Sequence, residues 1–142
     1  MDADRRARSE SVLRWILAFS IASTALHYTH NFIAIDRYPD AFVSGAVVQA
    51  AILLGWPLLT VIGLLGYRLY TQGRYSNAHA CLLTYSFTGI STLGHFVYGS
   101  PDIPAFFYAT IFTDGLAGLA VLTFTFWSLR RYSIPSVSTS AR

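Results

Sequence analysis

The chain contains no lysine: its ten basic residues are all arginine. A retinal or pyridoxal Schiff base needs a lysine amine, so both cofactor classes are excluded. Sulfur is nearly absent as well. The single Cys81 cannot form an intramolecular disulfide, and Cys81 and Met1 are the only soft ligands, neither near the histidine cluster described below, which argues against copper(I). Charge is scarce, at 12% of residues against 54% hydrophobic, and the mean hydropathy is +0.45. That is too apolar for an ordinary soluble domain of 142 residues and points to an integral membrane protein. The arginines behind the net charge of +3 sit at the chain ends and between apolar runs instead of forming one basic face, so nucleic acid is not an expected partner.

What the chain does have is four apolar segments, at about 12–35, 42–70, 77–98 and 104–129. Each covers the ~20 residues that a helix needs to cross a bilayer. Their connections, "DRYPDA", "TQGRYS" and "GSPDIP", are short and rich in turn formers, which predicts an all-α, up-down-up-down four-helix transmembrane bundle over residues 12–130. Nine arginines (Arg5, Arg6, Arg8, Arg14, Arg68, Arg74, Arg130, Arg131 and Arg142) fall on one side of that bundle and Arg37 alone on the other. The positive-inside rule then puts both termini in the cytoplasm of a bacterial type of cell membrane, with a basic stretch at 1–11 and a disordered Ser/Pro-rich tail at 131–142. A cleaved signal peptide is the rival reading of the first span. It is set aside because the apolar run continues to Ile35 without a convincing small-residue cleavage site.

The chain also resembles itself. Ser23-Thr24-x-x-His27-Tyr28 aligns with Ser91-Thr92-x-x-His95-Phe96; Pro39-Asp40 and Pro101-Asp102 follow, then Ala41-Phe42 and Ala105-Phe106. Read as a duplicated two-helix hairpin, this makes His27 and His95 symmetry mates at similar depth.

Within the first span Ser20, Ser23, Thr24, His27, His30 and Asn31 recur at three- and four-residue steps, and Thr84, Thr88, Ser91 and His95 do so in the third. The second span offers Gln49, Trp56, Thr60 and Gly63, and the fourth Thr110, Asp114, Ala117 and Gly118. Asp114 lies ten residues into the last span, roughly 15 Å of helix. A lone aspartate there costs on the order of 3 kcal/mol, so it is expected to face inward and to be protonated or paired with a histidine. His79 reads as an ordinary interfacial histidine. Small residues, Gly45, Ala46, Ala50 and Ala51 and the Gly115–Leu119 run, supply close-packing faces for the bundle or for a homodimer.

The expectation is therefore a polar pocket in the outer half of the bundle, formed by His27, His30, Asn31, Gln49, Ser91, His95 and Asp114. It would bind a hydrophobic small molecule with a polar headgroup, such as a lipid, a sterol-like compound or a quinone. The alternatives use the same histidines. His95 with His27 or His30 could ligate a haem, or His27, His30, His95 and Asp114 could hold zinc or iron in a redox protein or metal-dependent membrane enzyme. A hydrogen-bonded network that only fixes helix register is the plainest account of the same residues.

Overall fold

The computed structural model describes residues 3–38, 44–97 and 99–132. These residues form four α-helices, α1 (Ala3–Ile33), α2 (Gly45–Thr71), α3 (Tyr75–Ile90) and α4 (Ala105–Tyr132), with 3₁₀ helices at Ile35–Arg37 and Ser91–Val97 and no strand. Pro39-Asp40 and Ala41-Phe42 of the repeat, Tyr98, and the expected tail from 133 onward lie outside the described residues. Each helix packs on its neighbours in sequence, and α4 closes the ring onto α1.

The basic stretch before the first span is helical, so α1 starts nine residues earlier than the apolar pattern suggests. Local bonds explain this. Arg6 Nε donates to Glu10 Oε1 at 2.8 Å, one helical turn on, and the Arg6 guanidinium also donates to the Thr71 carbonyl at the end of α2. A cation there satisfies a carbonyl that the helix leaves without an intrahelical donor. At that same end Gly73, at φ 75°, takes the left-handed conformation that closes α2. Its N–H reaches the Tyr70 carbonyl at 3.0 Å and that of Arg74 reaches Leu69 at 2.9 Å, so "TQGRYS" turns tightly into α3.

The third segment is not one α-helix to residue 98. Regular α-helix stops at Ile90, and the Ser-Thr-x-x-His stretch continues as a 3₁₀ helix. Ser91 Oγ donates to the Thr88 carbonyl at 3.2 Å and Thr92 Oγ1 to that of Gly89 at 2.6 Å. Hydroxyls that occupy carbonyls three residues back compete with the α pattern at this point. The two copies of the repeat thus have different helical forms.

Glycines set the spacing between α3 and α4. A Cβ on Gly118 would lie 2.7 Å from the Ser86 carbonyl oxygen and the Ile90 nitrogen, and one on Gly89 would strike the Asp114 carbonyl. Part of the small-residue run in α4 is therefore used inside the chain, whereas Ala46, Ala50 and Ala51 are exposed.

The apolar core gathers at one end, from Leu13 and Leu17 of α1, Leu69 and Tyr70 of α2, Leu82 and Tyr85 of α3, and Val121 and Phe124 of α4. Buried polar groups line the opposite end, from Ser23 and Asp114 to His27 and Asn31, while Ser9, His79, Thr125 and Ser128 are buried beside the apolar core. The outside is apolar: Leu54 is 71% exposed, and Leu53, Leu58, Val61, Phe106 and Leu116 are also open. Among the described residues two helices, α2 and α4, are long and apolar enough to cross a membrane. α3 is only 16 residues long, and α1 carries the polar stripe on one face.

Candidate functional site

The polar faces of α1 and α4 meet first at Asp114. Its carboxylate is 0% exposed, and Ser23 Oγ donates to Oδ1 while also lying 2.8 Å from Thr113 Oγ1. Asp114 Oδ2 has no partner among the described residues. Of the two expectations for Asp114, protonated or paired with a histidine, no histidine pairing is found among the described residues, and its contact is the Ser23 hydroxyl.

One turn along, about 6 Å toward the other end, His27 of α1 faces Thr110 of α4. His27 is also 0% exposed, and its Nδ1 lies 3.3 Å from Thr110 Oγ1. Thr110 has one hydroxyl proton and gives it to the Phe107 carbonyl at 2.6 Å. The hydroxyl oxygen can then only accept from Nδ1–H, which assigns the tautomer and leaves a bare lone pair on His27 Nε2. That lone pair points at His95 Nε2, 3.3 Å away, and Asn31 Nδ2 stands 3.2 Å from the same His95 atom. Asn31 is 3% exposed, and its Oδ1 has no partner among the described residues.

With Asn31 Nδ2 donating to His95, the His27 Nε2 lone pair and the Asn31 amide oxygen are left without a donor. A single donor or a cation from outside resolves the conflict. Turning the amide over lets His95 Nε2–H be shared instead, but places the buried Asn31 NH2 where the amide oxygen has no partner, so either orientation leaves one polar group unmet.

Tyr38 covers the cluster. It is 6% exposed; its ring is 4.9 Å from that of His95 and 6.0 Å from that of His27, and its hydroxyl lies 2.9 Å from His30 Nδ1. Burial pushes the Tyr38 hydroxyl up to about 12. The folded state holds the neutral phenol, whereas the unfolded chain ionises near pH 10. This contribution to stability is therefore complete below about pH 10 and is lost as the pH rises from about 10 to about 12. Thermal unfolding measured across that window should show a shallower loss for Tyr38→Phe than for the parent chain.

The structure brings His27, His95 and Asn31 together and sets Asp114 one turn deeper. The other expected members are spread around them. His30 stacks on Phe107 at 3.8 Å; Gln49 donates to the Phe32 carbonyl at 2.9 Å; Ser91 is bonded within its own turn. No three His, Cys, Asp or Glu residues among those described lie close enough to hold a metal, so the expected set of His27, His30, His95 and Asp114 is not assembled. His79, read from the sequence as interfacial, is instead 2% exposed, 2.8 Å from Ser128 Oγ on the apolar-core side. Residue spacing could have found this contact, because Ser128 continues the inward face of α4 past Val121 and Thr125. Tyr38 and Trp56, whose Nε1 donates to Thr24 Oγ1 at 3.1 Å, are further members of the polar seam. Tyr38 lies in a turn, where helical periodicity gives no signal.

Fold and cluster define an all-helical protein with a buried polar seam between α1 and α4 and an apolar exterior. The chain matches no protein-family model, no curated protein and no solved structure.

Proposed function

We propose that the chain is a multi-pass membrane protein with four spans in an up-down-up-down bundle and both termini in the cytoplasm. Its outer-end cluster of His27, His95 and Asn31 binds an amphiphile through a hydroxyl headgroup of the sterol or quinol kind. The exposed leucine surface of α2 supports insertion, since a soluble monomer rarely leaves so large an apolar face in water. The one-sided arginines support the orientation. The meeting of the early part of α1 with the late part of α2, and of the early part of α3 with the late part of α4, supports the alternating direction.

The observation that carries the ligand class is the excess of acceptors: His27 Nε2 and Asn31 Oδ1 both await a donor. A hydroxyl supplies one and can accept from Asn31 Nδ2 in return; a ketone or a quinone carbonyl cannot donate. A phosphate headgroup is a poor fit because it has no cation in the His27–His95–Asn31 cluster to meet. Aromatic rings beside the cluster, Tyr28, Tyr38 and Phe107, suit a flat hydrophobic body.

A second reading rests on the 3.3 Å between the two Nε2 atoms. Two bonds of about 2.05 Å at a tetrahedral angle span about 3.3 Å, so one zinc-like ion could bridge the pair, with water completing its coordination. Two axial ligands on opposite sides of a haem iron would stand about 4 Å apart, which this spacing does not match.

The test is equilibrium binding by the full chain in detergent of a sterol and of its 3-keto counterpart, with zinc titration and metal analysis alongside. The hydroxyl form should bind at least about tenfold more tightly, the value of one hydrogen bond to an otherwise unpaired buried group. Equal affinities for alcohol and ketone would sink the donor argument, and stoichiometric metal would select the second reading.

A further inference from the structure

Far from the His27–His95 cluster, α1 and α4 part to leave a cavity of about 990 Å³ between residues 4–16 of one and 116–131 of the other. Its two ends differ in chemistry. Arg5, Arg8 and Arg131 stand at the end nearest the chain termini, with Asp4 the one acid among them. The remainder is mainly apolar, lined by Val12, Ile16, Leu116 and Leu119, with Ser9 and Thr123 the hydroxyls among them. An adjoining hollow of about 670 Å³ shares Thr123, Trp127 and Arg131 with this groove. Arg131 lies over the Trp127 ring at 5.2 Å.

We infer that this groove is a binding site for an anionic phospholipid of the leaflet at the arginine end. The phosphate is met by Arg8 and Arg131, one acyl chain lies along Val12, Ile16 and Leu119, and the other enters the adjoining hollow. Charge selects the headgroup: the exposed Arg8 and Arg131 attract a phosphate that keeps its net negative charge, whereas a zwitterionic headgroup brings its own cation. Length fits the chains. From Leu116 to Trp127 the α4 wall of the groove rises about 16 Å, close to the ~15 Å depth of one leaflet's hydrocarbon. A soluble apolar ligand would have no use for the arginines, and a partner helix would not require a cationic end to an apolar cleft.

The inference rests on the reading of the chain as membrane-embedded, and its test separates the two. The full chain in detergent is titrated with phosphatidylglycerol and with phosphatidylcholine, and bound lipid is counted by native mass spectrometry. Phosphatidylglycerol should bind in preference. An Arg8→Ala/Arg131→Ala protein, both side chains exposed, should keep its helical content and bind phosphatidylglycerol about 30-fold more weakly, the product of roughly fivefold for each arginine. Ala120→Trp, which fills the apolar part without changing charge, should weaken both lipids together. Equal binding of the two lipids by the parent chain, or an undiminished preference in the double variant, overturns the proposal. Release of the chain from membranes by alkaline carbonate would remove the membrane reading instead, while the lipid preference in detergent still decides the groove.

Discussion

A Gly118→Val protein should unfold far more easily than the parent, with about 3 kcal/mol of stability lost and the helix content melting at lower temperature in detergent. The reason is backbone against backbone. The new Cβ would sit 2.7 Å from both the Ser86 carbonyl oxygen and the Ile90 nitrogen, and neither can turn aside as a flexible side chain can. Relief requires α3 and α4 to separate, and that movement reaches the polar seam. Asp114 is one turn from Gly118, and Thr92 Oγ1, just past the end of α3, lies 3.2 Å from the Ile111 carbonyl oxygen of α4. Binding at the histidine cluster should therefore fall along with stability. Gly55→Ala is the control, because nothing lies within 4 Å of its added methyl. Alanine is the better helix former, so that protein should be unchanged or up to about 1 kcal/mol more stable. A Gly118→Val protein as stable as the Gly55→Ala protein would mean that the two helices are not packed as closely as described.

The second large effect falls on binding more than on folding. His95→Ala should lose amphiphile binding by about 100-fold, at a cost to stability of about 1–3 kcal/mol, since the side chain is only partly buried but its removal leaves the buried Asn31 amide without the acceptor it donates to. Its loss takes away one wall of the acceptor cluster and leaves His27 and Asn31 unopposed. Asp114→Asn gives the contrast. Ser23 can donate to an amide oxygen as well as to a carboxylate, so fold and affinity should both survive to within about threefold. Measured on the same samples, thermal unfolding and sterol affinity separate these roles. Lost affinity in the Asp114→Asn protein at full stability would bring the carboxylate into the binding cluster, and retained affinity in the His95→Ala protein would falsify the assignment of the site.

Much of this architecture can be read from residue order because burial leaves a period. Ser20, Ser23, Thr24, His27 and Asn31 recur at helical steps, and all five are buried. The pairing of His27 with His95 is legible through the repeated Ser-Thr-x-x-His. The partners of Asp114 are less so: depth alone suggests a histidine, but rotation about the helix axes decides, and it presents Ser23. The helical start at Ala3 escapes an apolar pattern because a charge pair and a capped carbonyl hold it. The burial of His79 is legible in the spacing of Val121, Thr125 and Ser128 along α4, but small hydroxyls read as packing residues until the two helices are joined.

The overwound stretch at Ser91–Val97 fixes where one imidazole sits. A 3₁₀ helix advances about 2.0 Å and 120° per residue, against about 1.5 Å and 100° for an α-helix. Over the four steps from Ser91 to His95 the difference amounts to about 2 Å of reach and about 80° of rotation. If those residues wound as their counterparts at Ser23–His27 do, His95 would be drawn back along the axis and swung a quarter turn aside, and the 3.3 Å contact with His27 would be lost. Two nearly identical words in the sequence thus place their histidines nose to nose because they are wound to different pitches, one serving as a fixed jaw and the other as a jaw on a screw thread.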